Sequence, residues 1–193
     1  MSAIIDGIDY GPLSPLIGQW IGTRGVDKAL QPEPEGMEHT PFIDQIDFKI
    51  AGAANNADSQ DLVALRYHHV VRKQENGLIF HDQIGHWIYE PATGLIMFSL
   101  SIPRAVCVLA GGTLTVGDNE TVMEVRAESG SDSFGVVQSP FMLEKAKTKA
   151  FEMVFSFNAE TINYMETTSL SIYGQDYDHV DKSQLKRVSY DLD

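Results

Sequence analysis

The chain is poor in cysteine, poor in positive charge and free of long apolar runs. Cys107 is its single cysteine in 193 residues, so no disulfide can form within it. The apolar flanks Val106 and Val108 predict a small core residue there rather than a redox centre. Fourteen Lys and Arg face 27 Asp and Glu, a formal charge of -13, which opposes unspecific attraction to nucleic-acid phosphates or an anionic membrane. No nucleic-acid or membrane partner is expected. No apolar stretch approaches the roughly 18 residues of a transmembrane helix. Met1 to Asp9 has neither the basic region nor the apolar core of a secretory signal, so a cytoplasmic location is expected.

Several chemical signatures are also missing. There is no phosphate loop, no His-Glu-x-x-His zinc helix, no Gly-x-Ser-x-Gly elbow and no paired-cysteine metal site, which removes the common nucleotide, metalloprotease and serine-hydrolase readings. What is present is the composition of a globular domain, 43% apolar and 21% charged. No linker or fixed-period repeat divides it, so one domain over residues 1–193 is expected, with 1–12 as an N-terminal extension.

Gly11 and Pro12 punctuate the chain before Leu13 to Trp20, a segment that predicts a turn or two of helix acting as a plug or lid. Pro32, Pro34, Gly36 and Pro41 then predict a long loop over Gln31 to Pro41. Beyond it the two-residue period of strands dominates. Ile46, Phe48 and Ile50 alternate with Gln45, Asp47 and Lys49. In Leu62 to Arg72, Val63, Leu65, Tyr67, His69 and Val71 share one face, and the pattern leaves open which face is buried. Asn76-Gly77 predicts a hairpin turn into Leu78 to Tyr89. Further runs are Leu95 to Ile102, Ala105 to Val116, Val122 to Ala127, Phe151 to Phe157, Ile162 to Ile172 and Leu185 to Leu192. Helix and strand compete over Phe141 to Phe155. Roughly eight to ten strands without alternating helices predict an all-β antiparallel sheet. Closure into a barrel would remove its exposed edges, with a sandwich as the competing architecture.

Histidine is the side chain here best suited to metal ligation and to proton transfer near neutral pH. His68 and His69 are adjacent on a strand and must face opposite ways. His81 and His86 also point apart unless Gly85 supports a bulge. His179 lies in the polar segment Gly174 to Lys182, where Asp178 and Asp181 could orient its ring or simply solvate a loop. Trp20, between Gly18 and Gly22, reads as an aromatic plug at the base of a barrel.

The order Gly18-x-Trp20-x-Gly22-x-x-Gly25, Phe80-His81, Gly85, and His179 followed by Leu185 and Arg187 resembles the nitrobindin-like haem-binding barrels over nearly the whole chain. The opening glycines are spaced more widely here than in that family, and Phe80 replaces a common methionine. The resemblance implies a closed antiparallel barrel of about ten strands, like those of lipocalins and fatty-acid-binding proteins, with a short N-terminal helical plug. It implies haem b as cofactor, His179 as iron ligand, and Asp178, Asp181 or a backbone carbonyl as acceptor for the other ring nitrogen. It implies a catalytic role for His81 across the pocket, with His179, His81, Phe80, Thr23 and Arg104 as cofactor-binding residues. The implied chemistry is nitric oxide binding and conversion of peroxynitrite to nitrate at ferric iron. The alternative is an iron-free carrier or sensor of a small apolar or amphipathic molecule. Oligomeric state stays open, a homodimer included.

Overall fold

The computed structural model describes residues 3–32, 36–57 and 59–189. Strands β1 (Ile4–Ile5) and β2 (Ile8–Asp9) pair as a small hairpin, and a 3-10 helix over Gly11–Leu16 follows. The chain then runs through β3 (Gly18–Leu30), β4 (Met37–Ala57), β5 (Gln60–Lys73), β6 (Ile79–Glu90), β7 (Leu95–Ile102), β8 (Val106–Val116) and β9 (Thr121–Glu128). A short β10 (Val136–Gln138) and helix α1 (Pro140–Lys145) precede β11 (Ala146–Phe157), β12 (Thr161–Ile172) and β13 (Gln175–Ser189).

Each long strand pairs antiparallel with its predecessor, β9 pairs with both β8 and β11, and β13 returns to β3. The result is a closed barrel of ten strands, with β10 added to the free edge of β8 at Val106–Val108. Where β10 and β11 part, the Gln138 side chain substitutes for a strand. Its amide donates to the Thr148 carbonyl and accepts from the Thr148 N–H, both at 2.8 Å. Backbone groups that would be orphaned at the seam are thereby satisfied.

The alternation seen in sequence sets the inner face. Leu65, Tyr67, His69 and Val71 point inward on β5, and His68 points out toward Asp82. One end of the barrel is filled by Tyr10, Leu13, Leu16, Ile17, Trp20, Phe48, Trp87, Phe98 and Phe155, all nearly inaccessible. Burial of each such side chain stabilises the fold by about 1.5–3 kcal/mol. Arg187 locks this end. Its guanidinium lies 4.0 Å over the Trp20 ring and donates to the carbonyls of Pro15, Ile17 and Ala159. Gly85 is required by close approach: a Cβ there would collide with the Ser99 carbonyl of β7.

Several expectations change on the structure. The helical turn or two expected within Leu13 to Trp20 is a 3-10 helix that begins at Gly11 and ends at Leu16, and Trp20 is a strand residue whose indole N–H donates to the Leu16 carbonyl at 2.7 Å. The proline-rich loop is shorter than expected, because Met37–Pro41 already pair with β3 and Pro41 needs no donor in its place. Pro34 lies outside the described residues, as do residues 190–192 of the last predicted run. Phe141 to Phe155 divides between α1, capped by Ser139, and β11. Cys107 is exposed, because strand alternation buries Val106 and Val108 and turns the residue between them outward.

Candidate functional site

The barrel end opposite Trp20 is not filled by side chains. It holds a cavity of about 360 Å³, with walls that include Leu30, Phe42, Leu100, Val108, Met142 and Phe151. Phe80, Arg104 and Tyr173, all solvent-exposed, stand at its rim. Phe80 packs edge-on against Phe42, with ring centroids 6.3 Å apart.

A line of carboxylates crosses the inner wall. Glu166 on β12 is the register partner of Asp181 on β13, and Asp181 is in turn the partner of Asp27 on β3. Direct partners on one sheet face sit about 4.5–5.5 Å apart at Cβ, and like charges so placed destabilise a sheet. His179, two residues before Asp181 and therefore on the same face, is the basic group among them. Its Nε2 is 2.5 Å from Asp27 Oδ1 and 3.7 Å from Asp181 Oδ2. The close carboxylate partner is thus Asp27, distant in sequence. Asp181 stands second, while Asp178 instead accepts from Ser169 at 2.6 Å.

Burial governs the charges. It pushes the Glu166 carboxyl up to about 8, with Asp181 adding to the rise and His179 opposing it. It also raises Asp181, where His179 pulls the other way and Asp27 reinforces the rise. Burial pulls His179 down, but the hydrogen bond to Asp27 and the Asp181 charge outweigh it, and the imidazole is raised overall.

His81 also lines the cavity, and it is brought down to about 4 by burial and by the neighbouring His69. It is therefore neutral at pH 7. Its Nε2 donates to Gln83 Oε1 at 3.1 Å, Gln83 donates to Tyr67 Oη at 2.7 Å, and Tyr67 donates to the Ser99 carbonyl at 3.1 Å. This relay holds the proton on Nε2 and leaves Nδ1 as an acceptor. His86 lies on the other face of β6, as its odd spacing from His81 implied.

Two further groups point inward: Asp44, not foreseen from the sequence, and His69, whose face of the strand the alternation left undecided. His69 is buried, its ring 6.0 Å from that of His81, and its Nε2 makes no hydrogen bond although Asp44 Oδ2 is 3.4 Å away. Asp44 is fully inaccessible and accepts from Tyr164 at 3.0 Å and Ser183 at 2.9 Å. Its carboxylate occupies the space that a Cβ on Gly22 would need, which accounts for a glycine at that position. The alternation of β4 signals Asp44, since Phe42, Asp44, Ile46 and Phe48 share one face. Of the residues named from sequence, His179, His81, Phe80 and Arg104 meet around one cavity. Thr23 does not join them; it is exposed at the register shift between Gly22 and Gly25.

Comparison with known proteins bears on this geometry. A family model described as a THAP4-like, heme-binding beta-barrel domain matches residues 9–187. The crystal structure of Rv2717c from M. tuberculosis superimposes with a TM-score of 0.67 at 21% identity, covering 92% of this chain and 95% of that one. No helix among the described residues is long and apolar enough to cross a membrane.

Proposed function

The chain belongs to the THAP4-like, heme-binding beta-barrel domain family, and from that premise we propose that its cavity holds haem b with His179 as the axial ligand. The observation that carries this reading is an imidazole on the cavity wall whose Nε2 is held by the Asp27 carboxylate. An iron-ligating histidine characteristically has one ring nitrogen on a carboxylate or carbonyl and the other available to the metal. The residues fit the group on that count, and the apolar walls suit a porphyrin face.

In this reading Asp27 fixes the ring and raises the basicity of the free nitrogen, which gives up its proton when ligation occurs. His81 offers a neutral acceptor nitrogen on the same cavity. Arg104 at the rim supplies a positive charge for an anionic ligand group. Phe42 supplies an apolar wall, and Phe80 packs edge-on against it at the rim. Ferric haem, when bound, supplies the site for nitric oxide and for isomerising peroxynitrite to nitrate.

Titration of the protein with ferric haem tests the reading. A Soret band that saturates, and that weakens strongly in His179→Ala, is expected; unchanged affinity in that variant defeats the ligation. Peroxynitrite decay faster with the loaded protein than with free haem supports isomerisation, and equal rates leave a binding protein. A colourless protein that takes up small amphipathic molecules instead would favour the iron-free carrier.

A further inference from the structure

We infer that the inner end of the cavity takes an uncharged ligand that presents a hydrogen-bond donor, a phenol-class hydroxyl on an apolar body, and that His69 is the group that receives it. This deepens the iron-free carrier reading and rests on the cavity, not on iron.

His69 is the unexplained side chain of the barrel interior. It is 7% exposed, and its Nε2 is the one buried side-chain nitrogen or oxygen without a hydrogen bond among the described residues. A buried polar group left without a partner calls for a ligand, a water or a catalytic role. The ring lines both the large cavity and a chamber of about 20 Å³ behind it. Gln83, Tyr164 and Glu166 are also walls of both spaces. The chamber has room for about one water or one hydroxyl, and the larger cavity has room for the body that carries it.

Local charge fixes the proton on the neutral ring. Nε2 is 3.4 Å from Asp44 Oδ2, too poorly placed for a hydrogen bond yet close enough that a lone pair on Nε2 would face a carboxylate. The proton therefore belongs on Nε2, and Nδ1 keeps the lone pair. Asp44 itself is not offered to a ligand: it is inaccessible, and its two oxygens already accept from Ser183 and Tyr164. His81, with its ring 6.0 Å from that of His69, presents the same kind of nitrogen, since its Nε2 proton is held by Gln83. Two acceptor nitrogens at one end of an otherwise apolar cavity ask for a donor.

The same walls argue against an anion. Arg104 is the one Lys or Arg on the cavity lining among the described residues, and it stands exposed at the rim, whereas Asp27, Asp181 and Glu166 lie within. A carboxylate end-group pushed inward would meet carboxylates and no cation, a costly arrangement. A phenol is neutral at pH 7 and donates. Val71, Leu100, Val108 and Phe151 give its ring apolar contact in a cavity of about 360 Å³. An apolar cavity of about 150 Å³ already accommodates benzene, so the space suits a two-ring aromatic.

The test titrates the haem-free full chain at pH 7 with naphthol, naphthalene and naphthoate, following probe fluorescence. An apolar cavity alone would favour naphthalene, because burying an unpaired hydroxyl is costly. The expected order is naphthol about tenfold tighter than naphthalene, with naphthoate weakest. In His69→Phe, which keeps a ring and removes both nitrogens, the preference for the hydroxyl should vanish while naphthalene still binds. Equal or tighter binding of naphthalene by the wild type overturns the inference and leaves the carrier reading standing. A preference that survives in His69→Phe overturns the inference as well. Should that variant fold poorly, ring-nitrogen NMR of histidine-labelled wild type decides: naphthol should shift the His69 Nδ1 resonance and naphthalene should not, and an unmoved resonance overturns the inference. Absence of binding by all three probes overturns the carrier reading and the inference together. Haem titration of the same preparation separates the haem reading. A Soret band without the hydroxyl preference defeats this inference alone, and the preference without a Soret band defeats the haem reading alone.

Discussion

Replacing Glu166 by Gln should flatten the pH dependence of stability in the metal-free, haem-free protein. Burial raises this carboxyl from 4.5 to about 8 in the folded chain. The folded state therefore holds the proton more tightly than the unfolded state does. The resulting stability is complete below pH 4.5 and is lost as pH rises through about 8. The full displacement corresponds to at most about 5 kcal/mol. Water entering the cavity and relaxation of the wall reduce this, and about 2–3 kcal/mol is the realistic loss between pH 5 and pH 9. Glutamine keeps the shape and removes the titration. Glu166→Gln should match the wild type near pH 5 and exceed it by about 2 kcal/mol at pH 9. Urea unfolding at several pH values measures this. The difference between the two proteins is the quantity to read, since Asp181, His179 and the surface groups titrate in both. Parallel curves would refute the reasoning and place Glu166 in contact with water.

Three further outcomes test the framework. Arg187→Met should cost about 2–4 kcal/mol in chemical unfolding, because three carbonyls lose their donor and the Trp20 face loses its cation; a loss below about 0.5 kcal/mol would show that the clasp is unimportant. Tyr164→Phe should cost about 1–3 kcal/mol in urea unfolding by removing a donor from the inaccessible Asp44 carboxylate; wild-type stability would count against the buried network. Cys107 should react with a thiol reagent in the native protein at a rate close to that of an unfolded control, since its side chain is exposed; strong protection would contradict the outward assignment.

Period-two alternation and turn chemistry determined a great deal by themselves. Ile46, Phe48 and Ile50 announced a half-buried strand, Asn76-Gly77 a hairpin, and the unbroken succession of such runs an antiparallel sheet, with barrel and sandwich both open until the pairing of β13 with β3 closed it. The histidine pairs 68/69 and 81/86 were correctly divided between faces, because that follows from local geometry. Alternation could equally have turned Cys107 outward, but its apolar neighbours were weighted instead.

Tertiary structure decided which side chains share a wall. Asp27 reaches His179 across 152 residues of sequence, whereas the sequence offered only the neighbours Asp178 and Asp181 or a backbone carbonyl, and of these Asp178 faces Ser169 while Asp181 stands 3.7 Å from the ring. The line from Glu166 through Asp181 to Asp27 exists only because β12, β13 and β3 pair in one particular register. A slip of one residue would send each carboxylate to solvent. Local sequence fixes the period of a strand, but closure of the barrel, its bulges and its turn lengths fix the offset between strands. The charge and chemistry of the cavity depend on that offset.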